Sequence, residues 1–331
     1  MMRVLLSILA LAAASPAVAQ TWPHPEDIPH PQPVSVPLAG SLPVDVTRYL
    51  LAAGPEDASL SPDGRWIAFV SRVTGQPQLW VVDAAGGAPR QLTYGLGVDG
   101  ALWLPDGSAI LYGADKGGNE RYGFYSVTPD GRREREVVTQ SDAFTFLGDF
   151  TADGTGLIYA TTAGGRDGFE LRRAALDGSG SQHVTNGRLG LYPASAQPHG
   201  TLLLMQEARG EASSDVSVLD LATGQERTLF KPNTPSTHGS FAWAPDGSGF
   251  YMLSNEDRDF AAVFHHDLAS GRTRLIAAPD HDVVAVDLSP DGRFLVWTTD
   301  EGGYHALHGR DLSTGRDLQT PSLPRGNYSL D

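Results

Sequence analysis

Apolar residues in this chain fall in short runs flanked by glycine-bearing turns, and no helical periodicity of useful length follows the first few residues. Runs such as Trp66-Ile67-Ala68-Phe69-Val70 and Phe250-Tyr251-Met252-Leu253 are β-prone and predict strands. Each follows a Pro-Asp-Gly turn or a degraded copy of one. The copies are SPDGRWIAFVS from Ser61, LPDGSAILYGA from Leu104, TADGTGLIYAT from Thr151, QPHGTLLLMQE from Gln197, APDGSGFYMLS from Ala244 and SPDGRFLVWTT from Ser289. Their central positions, Asp63, Asp106, Asp153, His199, Asp246 and Asp291, are spaced by 43, 47, 46, 47 and 45 residues. Pro presets φ for a type I turn, Asp suits the next position, and Gly accepts the positive φ that follows, so each copy predicts a hairpin connector.

A third strand follows in every unit (LWVVDAAGG, FYSVTPDG, LRRAALDG, VSVLDLATG, VFHHDLASG, HGRDLSTG), ending in a second Gly turn. A fourth follows that, as in PRQLT, REREVVT, SQHVT, QERTLF and RTRLIA. Four antiparallel strands in a unit of this length are one propeller blade, and packing blades radially buries the faces that a single blade leaves open. A β-sandwich, the competing all-β reading, gives no reason for one turn to recur at a fixed period. The fold predicted is an all-β propeller, residues 45–331, of six complete four-stranded blades plus the start of a seventh.

That start is read from the end of the chain, LPRGNYSLD. Laid over DHDVVAVDLSPDG of the preceding unit, Tyr328 to Asp331 align with the innermost strand of a further blade and stop before its turn. The expectation is a propeller truncated at its C-terminus. The alternative is that this segment closes the ring by pairing with the last blade, with Val44 to Leu51 as its partner.

At the other end, Arg3 precedes a short apolar run from Val4 to Ala14 and the small-x-small site Ala17-Val18-Ala19. This order predicts a signal peptide, residues 1–19, cleaved after Ala19, and a periplasmic or secreted protein; a buried N-terminal helix is the competing reading. Residues 20–44 are Pro-rich and predict a linker or surface strap. The sequence has no cysteine and a formal net charge of −15. Such an acidic surface disfavours nucleic acid, and no later stretch is long and apolar enough to span a membrane.

Candidate chemistry is sparse. His24 and His30 beside Glu26 and Asp27 belong to a solvated tail more readily than to a metal site. His265-His266-Asp267 is adjacent on a strand, so its imidazoles point to opposite faces and cannot share one ion. His305 and His308 diverge in the same way, and His281-Asp282 precedes an inner strand. Asn255-Glu256-Asp257 lacks the ligand spacing of a calcium loop. No Gly-x-Ser-x-Gly elbow occurs, and Gly178-Ser179 and Gly247-Ser248 lack its flanks. The sequence therefore assigns no catalytic, cofactor-binding or metal-binding residue.

The repeats resemble two families of exported propellers. Ser61 to Thr93 is similar to one unit of the TolB type. GADKGGNERYGFYSVTPDG from Gly113 and LSNEDRDFAAVFHHDLASG from Leu253 resemble more closely the N-terminal propeller of the prolyl oligopeptidase family of serine peptidases, where an acidic, Gly- or Asn-containing loop leads into an aromatic third strand. TolB-type proteins place an α/β domain before the propeller, whereas the oligopeptidases begin theirs after a short strap, as here. The resemblance implies a propeller that gates peptides or a protein partner at its shaft or rim, in front of an α/β-hydrolase domain if the gene continues. None of that domain's catalytic positions exists in this chain. A stand-alone TolB-like periplasmic scaffold is the alternative.

Overall fold

The computed structural model describes residues 54–164 and 168–330. The expected leader, the Pro-rich segment and Val44 to Leu51 lie outside the described residues. Within them are twenty-four strands in six four-stranded sheets, with no helix. Every sheet is an antiparallel meander in which each strand pairs with its successor. The blades span 55–91, 99–138, 145–186, 191–230, 238–277 and 283–317.

The first blade shows the local logic. Its inner strand, Pro55–Leu60, runs into the Pro-Asp-Gly turn, and Trp66–Ser71, Gln78–Asp83 and Arg90–Gln91 follow outward. In the turn the Ser61 hydroxyl donates to Asp63 Oδ1 at 2.6 Å, and the same oxygen accepts the Arg65 N–H at 3.1 Å. Gly64 takes φ +70°, a conformation that costs glycine nothing. Four other copies keep this glycine geometry, at Gly107, Gly154, Gly247 and Gly292. The fourth does not. In QPHG the positive φ falls on His199, at +56°, and not on Gly200. The positive angle thus sits at the third residue, as in a type II turn, and the Gly200 N–H to Gln197 O bond lengthens to 3.4 Å.

Packing follows the radial plan. Five hydrophobic clusters each join one blade to the next. The first pair meets through Ala68, Val70, Trp103 and Ile110, and the second through Leu111, Phe124, Leu157 and Tyr159. The third meets through Ile158, Leu171, Leu203 and Met205, the fourth through Val218, Trp243 and Phe250, and the last through Tyr251, Val263, Leu295 and Trp297. Burying one such side chain stabilises by roughly 1.5–3 kcal/mol. Central blades are sealed on both sides, so every residue of Gly156–Thr161 and of Gly249–Ser254 is buried. In the first and sixth blades the corresponding strands bury only one face fully. Ile67, Phe69, Phe294 and Val296 are half-buried, and among the described residues no cluster joins these two blades.

Past Arg316–Asp317 the chain continues to the centre of the ring. Tyr328 exchanges backbone contacts with the His305 ring, its O and N lying 2.8 and 3.0 Å from Nδ1, and Ser329 and Leu330 reach the inner strands. This course is consistent with the start of another blade, although residues 318–330 form no ladder.

Candidate functional site

Each inner strand carries a register shift against its neighbour, the signature of a β-bulge. Four residues before the turn begins, three blades place a positive φ at that irregularity: Asp57 at +47°, Gly100 at +72° and Ser240 at +50°. Gly100 is the residue such a bulge favours. Asp57 and Ser240 hold the same conformation with a side chain attached, and that costs conformational energy.

Asp57 and Gly100 stand on the wall of a cavity of about 620 Å³. It opens between the second and third blades, at the end of the shaft opposite the Pro-Asp-Gly turns. The inner strands supply Asp57, Ser59, Asp99 and Leu102, and the third blade brings Phe144 and Phe146. Glu120 and Tyr122 enter from the acidic loop after Ile110–Ala114. That loop is wound on Asp115, whose carboxylate accepts the Gly118 and Glu120 N–H groups at 3.0 and 2.8 Å, while Glu120 takes φ +59°. Gly113 makes room for Tyr122, since a Cβ there would lie 3.3 Å from the ring.

The electrostatics are one-sided. Asp57, Asp99 and Glu120 line the cavity, and no Lys, Arg or His does so among the described residues. Burial, and then the charge of Asp57, pushes the Asp99 carboxyl above the ordinary carboxylate value. Burial likewise raises the Tyr122 hydroxyl, with Asp99, Asp115 and Glu120 adding to it. The Ser59 side chain is 8 % exposed, and its hydroxyl has no hydrogen-bond partner. The aromatic side is open: Phe144 and Phe146 are 39 % and 37 % exposed. Phe146 packs edge-on to Phe169 and Tyr192, with centroids 5.2 and 5.1 Å away, and the Arg121 guanidinium sits 3.4 Å from the Phe144 centroid.

The residues singled out in the sequence lie elsewhere. His265 packs on Tyr251 at 4.8 Å, towards the sixth blade, whereas His266 packs on Phe250 at 5.3 Å, towards the fourth. The two imidazoles are on opposite faces. Burial lowers the pKa of both. His308 stacks on Trp297 at 5.7 Å and His305 holds Tyr328. Asp282 accepts the Ala261 N–H at 2.8 Å, Asn255 caps Thr237 at 2.8 Å, and Glu256 meets the buried His238 at 3.3 Å. Each of these groups holds a blade or a junction between neighbouring segments, and none of them lines the cavity. The sequence did not single out Asp57, Asp99 or Phe144 because only radial convergence assembles them. Stacking the repeats on their turns would have aligned Asp57 with Gly100, the one available signal.

Residues 56–214 match the family model described as the TolB beta propeller domain. The propeller is TolB-like. An uncharacterised protein of Agrobacterium fabrum is 24 % identical over 203 residues, 59 % of this chain and 68 % of that protein. Dipeptidyl aminopeptidase BIII of Pseudoxanthomonas mexicana is 24 % identical over 248 residues, 70 % of this chain but 34 % of its own length. Among solved structures, a prolyl endopeptidase superposes with a TM-score of 0.66 at 17 % identity, over 84 % of this chain and 44 % of that one. The TolB-like propeller thus spans less than half the length of either peptidase. The likeness to the endopeptidase shows the fold.

Proposed function

We propose that this TolB-like propeller is the substrate-gating portion of an exported peptidase of the prolyl-oligopeptidase kind. It admits short unstructured peptides at the cavity end of its shaft and keeps folded proteins out. Bond cleavage belongs to a hydrolase domain that these 331 residues do not include. The observation that carries this reading is the 248-residue match to a dipeptidyl aminopeptidase. The open aromatic and acidic cavity supports it, being built partly from the loop that resembles that family in sequence. Reading the coding sequence beyond the Asp331 codon is the direct test. A further blade followed by a Gly-x-Ser-x-Gly segment is expected, and an intergenic region ends the proposal. The purified chain alone should not hydrolyse dipeptidyl chromogenic substrates. Export is checked by N-terminal sequencing of periplasmic material, which should begin at Gln20.

One observation favours a second reading, a stand-alone binding or scaffold propeller: the Agrobacterium relative is matched over 68 % of its length. A scaffold of that kind should unfold cooperatively as a monomer. A propeller lacking a blade should associate through its half-buried end faces.

A further inference from the structure

We propose that the junction between the fourth and fifth blades is a pH-sensitive joint, closed while the buried imidazoles of His238 and His266 are neutral and loosened when they are protonated. The joint does not depend on peptide gating.

His238 stands where other blades place an aliphatic side chain. Counted back from the end of the inner strand, the same position is buried Val98 in the second blade, Leu191 in the fourth and Val283 in the sixth. The His238 N–H donates to the Ser214 hydroxyl at 2.9 Å, and the Ser214 N–H donates to Ser236 O at 2.9 Å. These two amides tie the fourth blade to the chain entering the fifth. Phe230, the last strand residue of the fourth blade, stacks on the His238 ring at 4.9 Å and meets the His266 ring steeply at 5.0 Å. Each imidazole has one nitrogen with a partner and one without. His238 Nε2 lies 3.3 Å from Glu256, and His266 Nδ1 lies 2.9 Å from the Thr273 hydroxyl. His238 Nδ1 and His266 Nε2 are buried with no partner, in residues only 1 % and 5 % exposed. On a neutral ring the bare nitrogen carries a lone pair. An imidazolium puts a charged N–H there instead, with nothing to accept it.

The surrounding charges do not offset this burial. Glu256 and Asp215 favour a charged His238, but Arg209 pairs with Asp215, and Glu256 is 41 % exposed. Around His266, Arg227 and His265 oppose a positive charge and Asp267 favours it. Burial is the largest influence on both rings and lowers them from 6.5. A histidine depressed in this way leaves the fold at full stability above its unfolded value, and stability is lost as pH falls from there towards the lower folded value. The window therefore starts at 6.5, well above the 3.8 at which the turn aspartates begin to act. Opening the joint relieves the cost, because water then reaches both rings.

The test is amide hydrogen exchange on the full chain, resolved by NMR and corrected for the intrinsic pH dependence of exchange. The Ser214 and His238 amides are the reporters. The control is the Val98 amide, which donates to Pro77 O at 2.9 Å at the corresponding place between the first and second blades. Between about pH 7.5 and about pH 5.5 each buried histidine lowers protection by up to about tenfold. Both reporters should therefore lose protection severalfold while Val98 keeps its own. The double variant His238→Phe/His266→Phe keeps rings against Phe230 and removes both titrations, so its reporters should not respond to pH. Imidazole proton titration of the unaltered chain needs no variant to fold, and both rings should titrate below 6.5. The joint is overturned by reporter protection that ignores pH, by a loss that Val98 shares equally, or by a loss that persists in the double variant. Titration of either ring at or above 6.5 overturns it as well. None of these outcomes bears on peptide gating.

Discussion

The indole Nε1 of Trp103 donates to the main-chain oxygen of Ser59 across 3.2 Å, from the inner strand of the second blade to that of the first. Trp243 repeats the bond at 3.3 Å to Ser195, joining the fifth blade to the fourth. Both tryptophans immediately precede a turn, and both acceptors lie two residues before the preceding turn. The same sequence position therefore ties neighbouring blades wherever it is Trp. At the junction of the third and fourth blades a side chain takes over: Asp149 accepts the Ala196 N–H at 2.8 Å.

Trp103→Phe should cost about 1–3 kcal/mol, from a lost hydrogen bond and lost volume. Trp243→Phe should cost a similar amount, and the two should add because the sites are far apart. Trp80 is the control, since its buried indole N–H has no partner, so Trp80→Phe forfeits no hydrogen bond. Urea unfolding of the wild type, the three single variants and the Trp103/Trp243 double variant is the measurement. Equal losses for Trp80 and Trp103 would show that the inter-blade bond contributes nothing.

Acid sensitivity follows from the turns. The Thr151 hydroxyl, and then the Thr155 N–H, hold the Asp153 carboxylate down to about 2. Asp63, Asp106, Asp246 and Asp291 are lowered by equivalent hydrogen bonds, Asp63 chiefly by the Ser61 hydroxyl. A carboxyl whose folded value is depressed stabilises the fold fully above its unfolded value. That contribution is lost as pH falls through the folded value. For Asp153 the window runs from 3.8 down to about 2. Asp149 has the opposite sign. Burial raises it, so protonation on acidification favours the fold. Urea midpoints measured across this range should fall with pH, and Asp153→Asn should flatten the decline. Above 3.8, where the raised Asp149 titrates in the fold, Asp149→Asn should remove a gain in stability on acidification.

The repeat made the fold legible because the Pro-Asp-Gly turn is a local device: Pro62, Asp63 and Gly64 fix their own geometry with little help from the rest of the chain. What escaped was non-local. His199 occupies the aspartate position, yet the fourth turn moves the positive φ onto it, a choice the letters QPHG do not reveal. The cavity escaped for a similar reason. Asp57, Asp99 and Glu120 are ordinary acidic residues along the chain, and only the ring brings them to one wall. The histidine pairs, His265 with His266 and His305 with His308, are close in the sequence, but a strand sends residues an odd number of positions apart to opposite sides.

Backbone strain at the irregular positions can be relieved. His199→Gly should stabilise by about 0.5–1 kcal/mol, because glycine holds a positive φ without steric cost. Gly64→Ala should destabilise by a comparable amount, since φ there is +70° with open space around the missing Cβ. Thermal unfolding of the two variants should move in opposite directions. A destabilised His199→Gly would show that the imidazole makes a contribution larger than the strain it bears.

The coupling between two wall carboxylates can be read directly. Asp57 is the second cause of the raised Asp99 value, after burial. Carboxyl-detected NMR titration should place Asp99 above the ordinary carboxylate range and bring it down in Asp57→Asn, without restoring the ordinary value, because the desolvation remains. An unmoved Asp99 would mean that solvent screens the pair and that the cavity is wetter than its lining implies.

The end blades offer a test of radial packing that needs no ligand. Val70 faces the second blade at 2 % exposure, whereas its neighbour Phe69 points to the other face and is only half-buried. By side-chain size alone, Phe69→Ser should be the costlier change. By packing, Val70→Ser should cost more, because it opens a sealed junction and buries a hydroxyl there, while serine at 69 remains partly in water. The same comparison in the third blade should lose the asymmetry, because both faces of Gly156–Thr161 are covered and Ile158 and Tyr159 are each fully engaged. Urea denaturation of the two pairs decides it. If Phe69→Ser proves as damaging as Ile158→Ser, the outer face of the first blade is covered in solution by something that the ring of described blades does not provide.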